Sequence, residues 1–530
     1  MTPHEYAELL DQCSKLFRSI VVSTAFPRPK SRQPIFLDGI LHTASNALRN
    51  VGIHLAARKA GFSENAKLLL YEDRPVHQLY ESLDIAKFRI GLTKPSMAER
   101  IKNRLIRISP WPFDKKKIFD ERYKNIQLGN YALDTAIRYL PNAFTISQIP
   151  KRTALTLRSS ARRIARRMQE IIDLENPSAI VLSHKYYNEF GVLGAVSVLN
   201  EVPVFSLNSG FIKRCDSFKD WERDDFTLTP EVKADLNARV DSEVAMAYAE
   251  RRFKGLGLDM DSANGYASKR TLSREQLIHE LGLDFNKPIA VIMPHAFSDA
   301  NHCDSWMIHD TYFDWYHRVL NMTASMSHVH WIVRTHPSSH MYSETGVGAS
   351  FALKYPHIKV LDDNVQTSSV FGFADAVLTV RGTAGLESLY FGIQPILAGA
   401  AWYDSLTGVV SCRTESQLKA ALMNISKRVE KPEDDAALLA RKLDAAKAIY
   451  FRFGSHDFTA PSVGRELNPG LTEQESIDHD GKQLINFLKA FRKPEDYWND
   501  PYVIGFVKMF DRQLDLLSIV DLGDASTNTK

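Results

Sequence analysis

Apolar residues along this chain recur in two ways: as short unbroken runs, and as longer segments where they return every three or four positions. Pro34-Ile-Phe-Leu-Asp-Gly-Ile is a run that reads as a buried strand. Leu41, Ala44, Leu48, Ile53 and Leu55 then follow a helical period, and Lys67-Leu-Leu-Leu-Tyr reads as a second strand. Strand, helix and strand within roughly 40 residues predict a βαβ unit with a right-handed crossover. Ser178-Ala-Ile-Val-Leu-Ser-His, the helical stretch Phe190 to Leu199, and Pro203-Val-Phe-Ser-Leu predict another such unit. Between them the pattern from Ile101 to Pro150 is weak, and Thr153 to Asp173 reads as a helix carrying Arg158, Arg162, Arg163, Arg166 and Arg167.

Residues 213–270 turn polar, charged and helical, as expected of a connection between domains. A capped helix is expected from Thr271 to near Gly282, and a more regular series starts at Pro288-Ile-Ala-Val-Ile-Met-Pro-His. Strands are predicted at Val329-His-Trp-Ile-Val-Arg, His357-Ile-Lys-Val-Leu, Ala376-Val-Leu-Thr-Val and Pro395-Ile-Leu-Ala. Helices are expected over Tyr312–Ser325 and from starts near Ser368, Thr383 and Thr414. Such alternation predicts an α/β, doubly wound parallel sheet with ligands at the carboxyl ends of its strands. The expectation is two Rossmann-like domains facing one cleft: an acceptor-side domain over 1–270 and a donor-binding domain over 271–482. Apolar-periodic helices over 483–530 are expected to pack back across the junction.

Composition narrows the class. Of 530 residues, 44% are hydrophobic and 24% charged, which fits a soluble globular protein. No apolar stretch is long enough to span a bilayer, and the first residues show no secretory pattern. Four scattered cysteines without a C-x-x-C pair suit a reducing cytoplasm. The net charge of +3 predicts no nucleic-acid partner, but it hides a gradient. Residues 1–200 hold 31 Lys/Arg and 18 Asp/Glu, so the rest holds 35 and 45. The arginines at 158–167 are either a solvated helix face or a surface for anionic lipid headgroups or a phosphorylated glycan.

Candidate chemistry gathers at strand ends. Pro337 forces the chain out of the strand before it and leaves His336 at the carboxyl edge. Arg334, His336, Ser338 and Ser339 would together suit a phosphate. Val380-Arg-Gly-Thr-Ala-Gly-Leu-Glu also follows a strand and opens a helix. There Arg381, Gly382, Thr383, Ala384 and Gly385 would bring amides and positive charge to an anion, with Thr383 as cap and Glu387 receiving a sugar hydroxyl. The segment is neither a dinucleotide fingerprint nor a Walker loop, so a sugar nucleotide suits it better than NAD or ATP.

A third segment carries His295, Asp299, His302, Cys303, Asp304 and His309. Its spacing fits no zinc pattern, so no metal site is expected; a cleft-lining loop that contacts substrate is, with Asp299 its best single catalytic candidate and His295 a donor-binding one. In the basic half Asp38, His42, His184 and Glu189 end strands and are candidate general bases.

The order Pro294-His-Ala-Phe-Ser-Asp, Phe313-Asp-Trp, Trp331-Ile-Val-Arg-Thr-His-Pro, Arg381-Gly-Thr-Ala-Gly-Leu-Glu, Ala398-Gly and Trp402-Tyr403 resembles bacterial capsule polysaccharide biosynthesis proteins. These are glycosyltransferases of the GT-B fold related to capsule Kdo transferases, and the resemblance covers residues 271–425. It implies transfer from a nucleotide-activated sugar, a CMP-sugar such as CMP-Kdo favoured, to a capsule or lipopolysaccharide-type glycan. It also implies that His336 and Pro337 match the family's donor-binding His-Pro, while Arg381 to Gly385 hold the place of a hydroxyl-rich pair that is Arg-Gly-Thr here. No cofactor beyond the nucleotide-sugar substrate is expected, and the location expected is the cytoplasm, at the inner face of its membrane. A sugar-nucleotide epimerase, a polyol-phosphate transferase, or a non-catalytic glycan- or lipid-binding assembly factor are the other readings.

Overall fold

The computed structural model describes residues 1–91, 97–108, 116–208, 211–224, 226–256, 260–267, 269–302, 306–426, 434–454, 473–511 and 516–517. The chain forms two α/β units. The first comprises Met1–Ala132, Ala154–Trp221 and Phe458–Lys530, and the second Leu133–Thr153 and Glu222–Asp457.

In the first unit the strands are β1 (Ile35–Asp38), β2 (Ala66–Leu70), β3 (Ala86–Arg89), β4 (Ala179–Leu182), β5 (Val204–Asn208) and β6 (Phe211–Cys215). β1 pairs in parallel with both β2 and β4; β3 and β5 extend the parallel sheet on either side, and β6 returns antiparallel to β5. β3, β6 and the helix Pro3–Ser23 are additions to the elements expected from the sequence. That helix starts on a capping box between Thr2 and Glu5 and buries Leu10, Cys13, Phe17 and Ile20.

The second unit holds β7 (Ile289–Ile292), β8 (His330–Val333), β9 (Ile358–Val360), β10 (Ala376–Thr379), β11 (Pro395–Leu397) and β12 (Val410–Ser411). All are parallel, in the order β12-β11-β10-β7-β8-β9. Ala290 and Ile292 of β7 join one apolar cluster with Trp315, Tyr316 and Trp331, while Ile289 and Val291 join another with Leu277, Val370 and Phe371. A strand buried on both faces must be apolar at every position, which is why these strands read as unbroken runs.

The expected boundaries at 270 and 482 shift. Residues 222–270 belong to the second unit because helix Ser242–Phe253 packs on helix Asp435–Phe453, with Tyr248 and Tyr450 rings 5.7 Å apart. Phe144 enters the second unit's core, 5.6 Å from both Phe297 and Phe313, and so draws residues 133–153 with it. The C-terminal helices Glu473–Ala490 and Pro501–Phe510 belong to the first unit. There Phe487 meets Phe17 at 5.1 Å, and β13 (Leu516–Leu517) pairs antiparallel with β6. Among the described residues no helix is long and apolar enough to cross a membrane.

Candidate functional site

In the second unit β7 is followed by β8 and β9 on one side and by β10 on the other, so the chain reverses direction across the sheet between β7 and β10. Ligands of open parallel sheets bind outside such a point, at the carboxyl ends of the strands. The loops that leave β7 and β10 there carry His295 and Arg381. They are joined directly, with His295 Nε2 accepting the Arg381 backbone N–H at 3.2 Å.

His295 lies flat on Tyr312, with centroids 4.1 Å apart and planes 5° from parallel. Its pKa is driven well below the usual histidine value, first by burial and then by the charges of Arg381 and His336. A neutral ring is what the Arg381 amide needs as an acceptor. The Arg381 side chain donates to Tyr312 Oη at 2.8 Å and to the carbonyl oxygens of Ala300 and Asn301 at 3.0 and 3.1 Å. Arg381 to Ala384 nonetheless remain partly exposed.

Gly382, not Thr383, is the N-cap of the helix Thr383–Tyr390, and no side chain caps it. The first amides of this helix thus follow Arg381 directly along the chain, at a partly exposed helix end that carries partial positive charge. The glycines permit a close approach here. A Cβ on Gly385 would lie 2.3 Å from Tyr403 Oη, and that hydroxyl donates to the Gly382 carbonyl at 2.5 Å.

His336 leaves β8 with its Nδ1 accepting the Ser338 N–H at 3.2 Å. Asp299 is surrounded by Arg138, His336 and Arg381, yet burial outweighs those charges and raises its pKa. Thus His295, Asp299, His336 and Arg381 come together at the carboxyl ends of β7, β8 and β10.

Other candidates are turned to structural tasks. The Arg334 guanidinium is wholly buried, paired with Asp363 at 2.8 Å and donating to the Asp363 and Val365 carbonyls, so it braces the loop after β9 instead of offering charge to a phosphate. Ser338 Oγ is buried and accepts from Asn264 at 3.1 Å, while Ser339 stays partly exposed. Glu387 is not open to a sugar hydroxyl. One carboxylate oxygen receives Arg252 at 3.0 Å and the other receives the Tyr266 hydroxyl at 2.7 Å.

His302 is held between Asp134 and the Asp310 carbonyl, each at 2.6 Å. With acceptors on both sides, the doubly protonated ring is favoured. Burial opposes that charge, but Asp134 outweighs it and raises the pKa. Cys303 and Asp304 lie outside the described residues, among which no cluster of three or more metal-ligating side chains occurs.

Two carboxylates that hold the β7 loop went unrecognised in the sequence. Glu344 accepts the N–H groups of Phe297 and Ser298, both at 2.7 Å, and Asp134 accepts those of Asn301 and His302 at 3.1 and 3.0 Å. Their partners lie 47 and 167 residues away for Phe297 and Asn301, so no local pattern marks them.

The first unit repeats the topology, with its reversal between β1 and β4. Asp38 closes that point. It is fully buried, accepts the Ser183 N–H at 2.9 Å and the Ile40 N–H at 2.7 Å, and also bonds the Ser183 hydroxyl. That removes it as a base for an incoming hydroxyl. His184 is partly exposed, accepts the Tyr186 N–H at 3.2 Å and packs against Tyr186, Tyr187 and Phe190. Glu189, on the π-helical turn Tyr187–Gly191, has its pKa raised by burial. The turn begins with Tyr187 at φ 61°, a left-handed conformation costly for an aromatic residue.

No protein-family model and no curated protein matches the chain. Among solved structures it is similar to KpsC of Thermosulfurimonas dismutans, a beta Kdo 2,4 transferase, at 13% identity, covering 53% of this chain and 81% of that one with a TM-score of 0.30. It is also similar to the UDP-GlcNAc 2-epimerase of Neisseria meningitidis bound to UDP-GlcNAc, at 7% identity, 80% and 99% coverage and a TM-score of 0.24. Anabaena HepE in complex with UDP and glucose is similar at 11% identity, 80% and 95% coverage and a TM-score of 0.23. Likenesses this distant assign no substrate to the chain.

Proposed function

We propose that this protein is a glycosyltransferase that takes a sugar from a nucleotide-activated donor, a CMP-sugar favoured, and passes it to a bacterial surface glycan. The observation that carries the proposal is the joined pair His295 and Arg381 at the strand-order reversal, beside an uncapped helix N-terminus. Guanidinium and amides there suit the phosphate of a leaving nucleotide. The resemblance of residues 271–425 to capsule glycosyltransferases supports the same reading.

In the reaction the acceptor oxygen bonds to the anomeric carbon as the bond from that carbon to the nucleotide phosphate breaks. The electron pair leaves on the phosphate oxygen, where Arg381 and the amides of the helix Thr383–Tyr390 stabilise it, so the proposal requires no metal. The acceptor proton passes to a carboxylate. Asp299, in the same unit as Arg381, is the group assigned to that step, its pKa raised by burial.

The test incubates the full chain with CMP-Kdo, UDP- and GDP-sugars, with and without an anionic oligosaccharide acceptor. Acceptor-dependent release of free nucleotide together with a lengthened glycan is the expected result. Conversion of the donor sugar without acceptor would replace the proposal with an epimerase, and phosphate carried into the product would replace it with a polyol-phosphate transferase.

A further inference from the structure

The helix Met97–Ile108 is anchored along one side. Asn103 donates to Ser159 Oγ at 2.7 Å and accepts from Arg158 Nη2 at 2.9 Å, so that side faces the helix Lys151–Glu175. At about 100° per residue, Met97, Ile101 and Leu105 fall on the opposite side, in register at i, i+4 and i+8. All three are exposed, at 72%, 52% and 59%.

A three-residue apolar ridge facing water is unusual for a helix whose other side is already satisfied. Its border is basic. Arg100 and Arg104 flank the ridge and are exposed.

The nearby arginine-rich helix does not offer the same surface. Arg158 is buried against Asn103, Arg162 donates through Nε to Glu121 at 2.8 Å, and Arg167 pairs with Glu170 at 3.0 Å. Much of the charge that the sequence placed on that face is therefore matched within the unit. An exposed apolar stripe edged by exposed guanidinium groups lies instead on the helix Met97–Ile108.

We propose that the helix Met97–Ile108 lies in the plane of an anionic lipid bilayer. Met97, Ile101 and Leu105 enter the boundary between headgroups and acyl chains, while Arg100 and Arg104 meet lipid phosphates. Apolar burial and headgroup attraction are the two forces that hold such interfacial helices, and this ridge and its border supply one each. Binding of this kind is peripheral, in keeping with the absence of a membrane-crossing helix among the described residues. The inference does not depend on the donor chemistry of the second unit.

The experiment is flotation of the full-length protein with phosphatidylglycerol–phosphatidylcholine vesicles and with pure phosphatidylcholine vesicles. Wild type is expected to float with the anionic vesicles and to stay behind with the neutral ones. The double variant Ile101→Glu/Leu105→Glu, whose positions are exposed, is expected to keep the wild-type melting temperature and to lose partitioning about tenfold or more. Arg100→Gln/Arg104→Gln is expected to float markedly less with the anionic vesicles and to depend less on salt than wild type. Failure of wild type to float, equal flotation with both vesicle types, or flotation of the Glu variant within twofold of wild type would each overturn the proposal. Concentration-dependent self-association abolished by the Glu variant would overturn it too, by assigning the ridge to a second copy of the chain.

Discussion

A neutral imidazole at position 295 is what the backbone of Arg381 requires, because an N–H can be received only by an unprotonated ring nitrogen. Burial, and after it the neighbouring Arg381 and His336, keep His295 in that state. Its folded pKa lies below the unfolded value, so its contribution to stability is present above about pH 6.5 and lost as pH falls. Asp480 shows the opposite sign for a carboxyl. Its Oδ1 is buried without a hydrogen-bond partner, and burial pushes its pKa up from 3.8 to about 6. The folded state therefore holds the proton more tightly than the unfolded one, and stability falls as pH rises from 4 through 6. Asp480→Asn is expected to stabilise the protein at pH 7.5 by roughly 1–3 kcal/mol and to flatten the pH dependence between 4 and 7. Denaturant unfolding of both forms across that range measures it, and an unchanged slope would refute the assignment. Single residues were legible in the sequence where position alone decides their place, as with His336 before Pro337. They were not where burial decides, as with Arg334 and Glu387, whose charged groups are consumed by Asp363 and Arg252. Breaking a buried pair of the Arg252–Glu387 kind costs about 3–5 kcal/mol, enough to account for both residues without a ligand.

At the scale of elements, the loop after β7 depends on two distant carboxylates. Glu344 and Asp134 between them accept four of its backbone amides, at Phe297, Ser298, Asn301 and His302. Irregular backbone inside a protein must find such partners, and this loop could not hold His295 and Asp299 in place without them. Glu344→Gln presents a donor where an acceptor is needed. The expected outcome is nucleotide affinity about tenfold weaker, near 1.4 kcal/mol, with a much smaller change in melting temperature. Calorimetric titration checks it, and unaltered affinity would remove the loop from the site. The parallel strands were legible because both faces of β7 and β10 are covered and their sequences are apolar throughout. The helix Pro3–Ser23 was overlooked although Thr2, Pro3 and Glu5 announce its start, since its apolar residues are spaced along a mostly polar stretch. β3 was overlooked for a different reason: Ala86-Lys-Phe-Arg is largely exposed at the sheet edge and shows no buried run.

At the scale of the molecule, the two units share a topology and differ in what fills the reversal point. Asp38 and Ser183 seal it in the first by hydrogen bonding to each other, whereas His295 and Arg381 leave it partly exposed in the second. The charge gradient seen along the sequence divides likewise. Part of the basic excess is matched within the first unit by Glu121, Glu170 and Glu175, the last pairing with Lys67, and part borders the exposed ridge of the helix Met97–Ile108. Domain limits were the least legible feature at this scale. Residues 133–153 and 222–270 join the second unit through contacts such as Phe144 with Phe297 and Arg252 with Glu387, which no local composition reveals.

The central claim is that the reversal point of the second unit holds a nucleotide phosphate. The most direct measurement is the melting temperature of the full chain with CMP, UDP and GDP in turn, for wild type and for Arg381→Gln. One nucleotide is expected to stabilise wild type by about 2.7 kcal/mol at a hundredfold excess over its Kd. Arg381→Gln is expected to need about tenfold or more nucleotide for the same effect. No stabilisation by any nucleotide, or equal stabilisation of both proteins, would contradict the account.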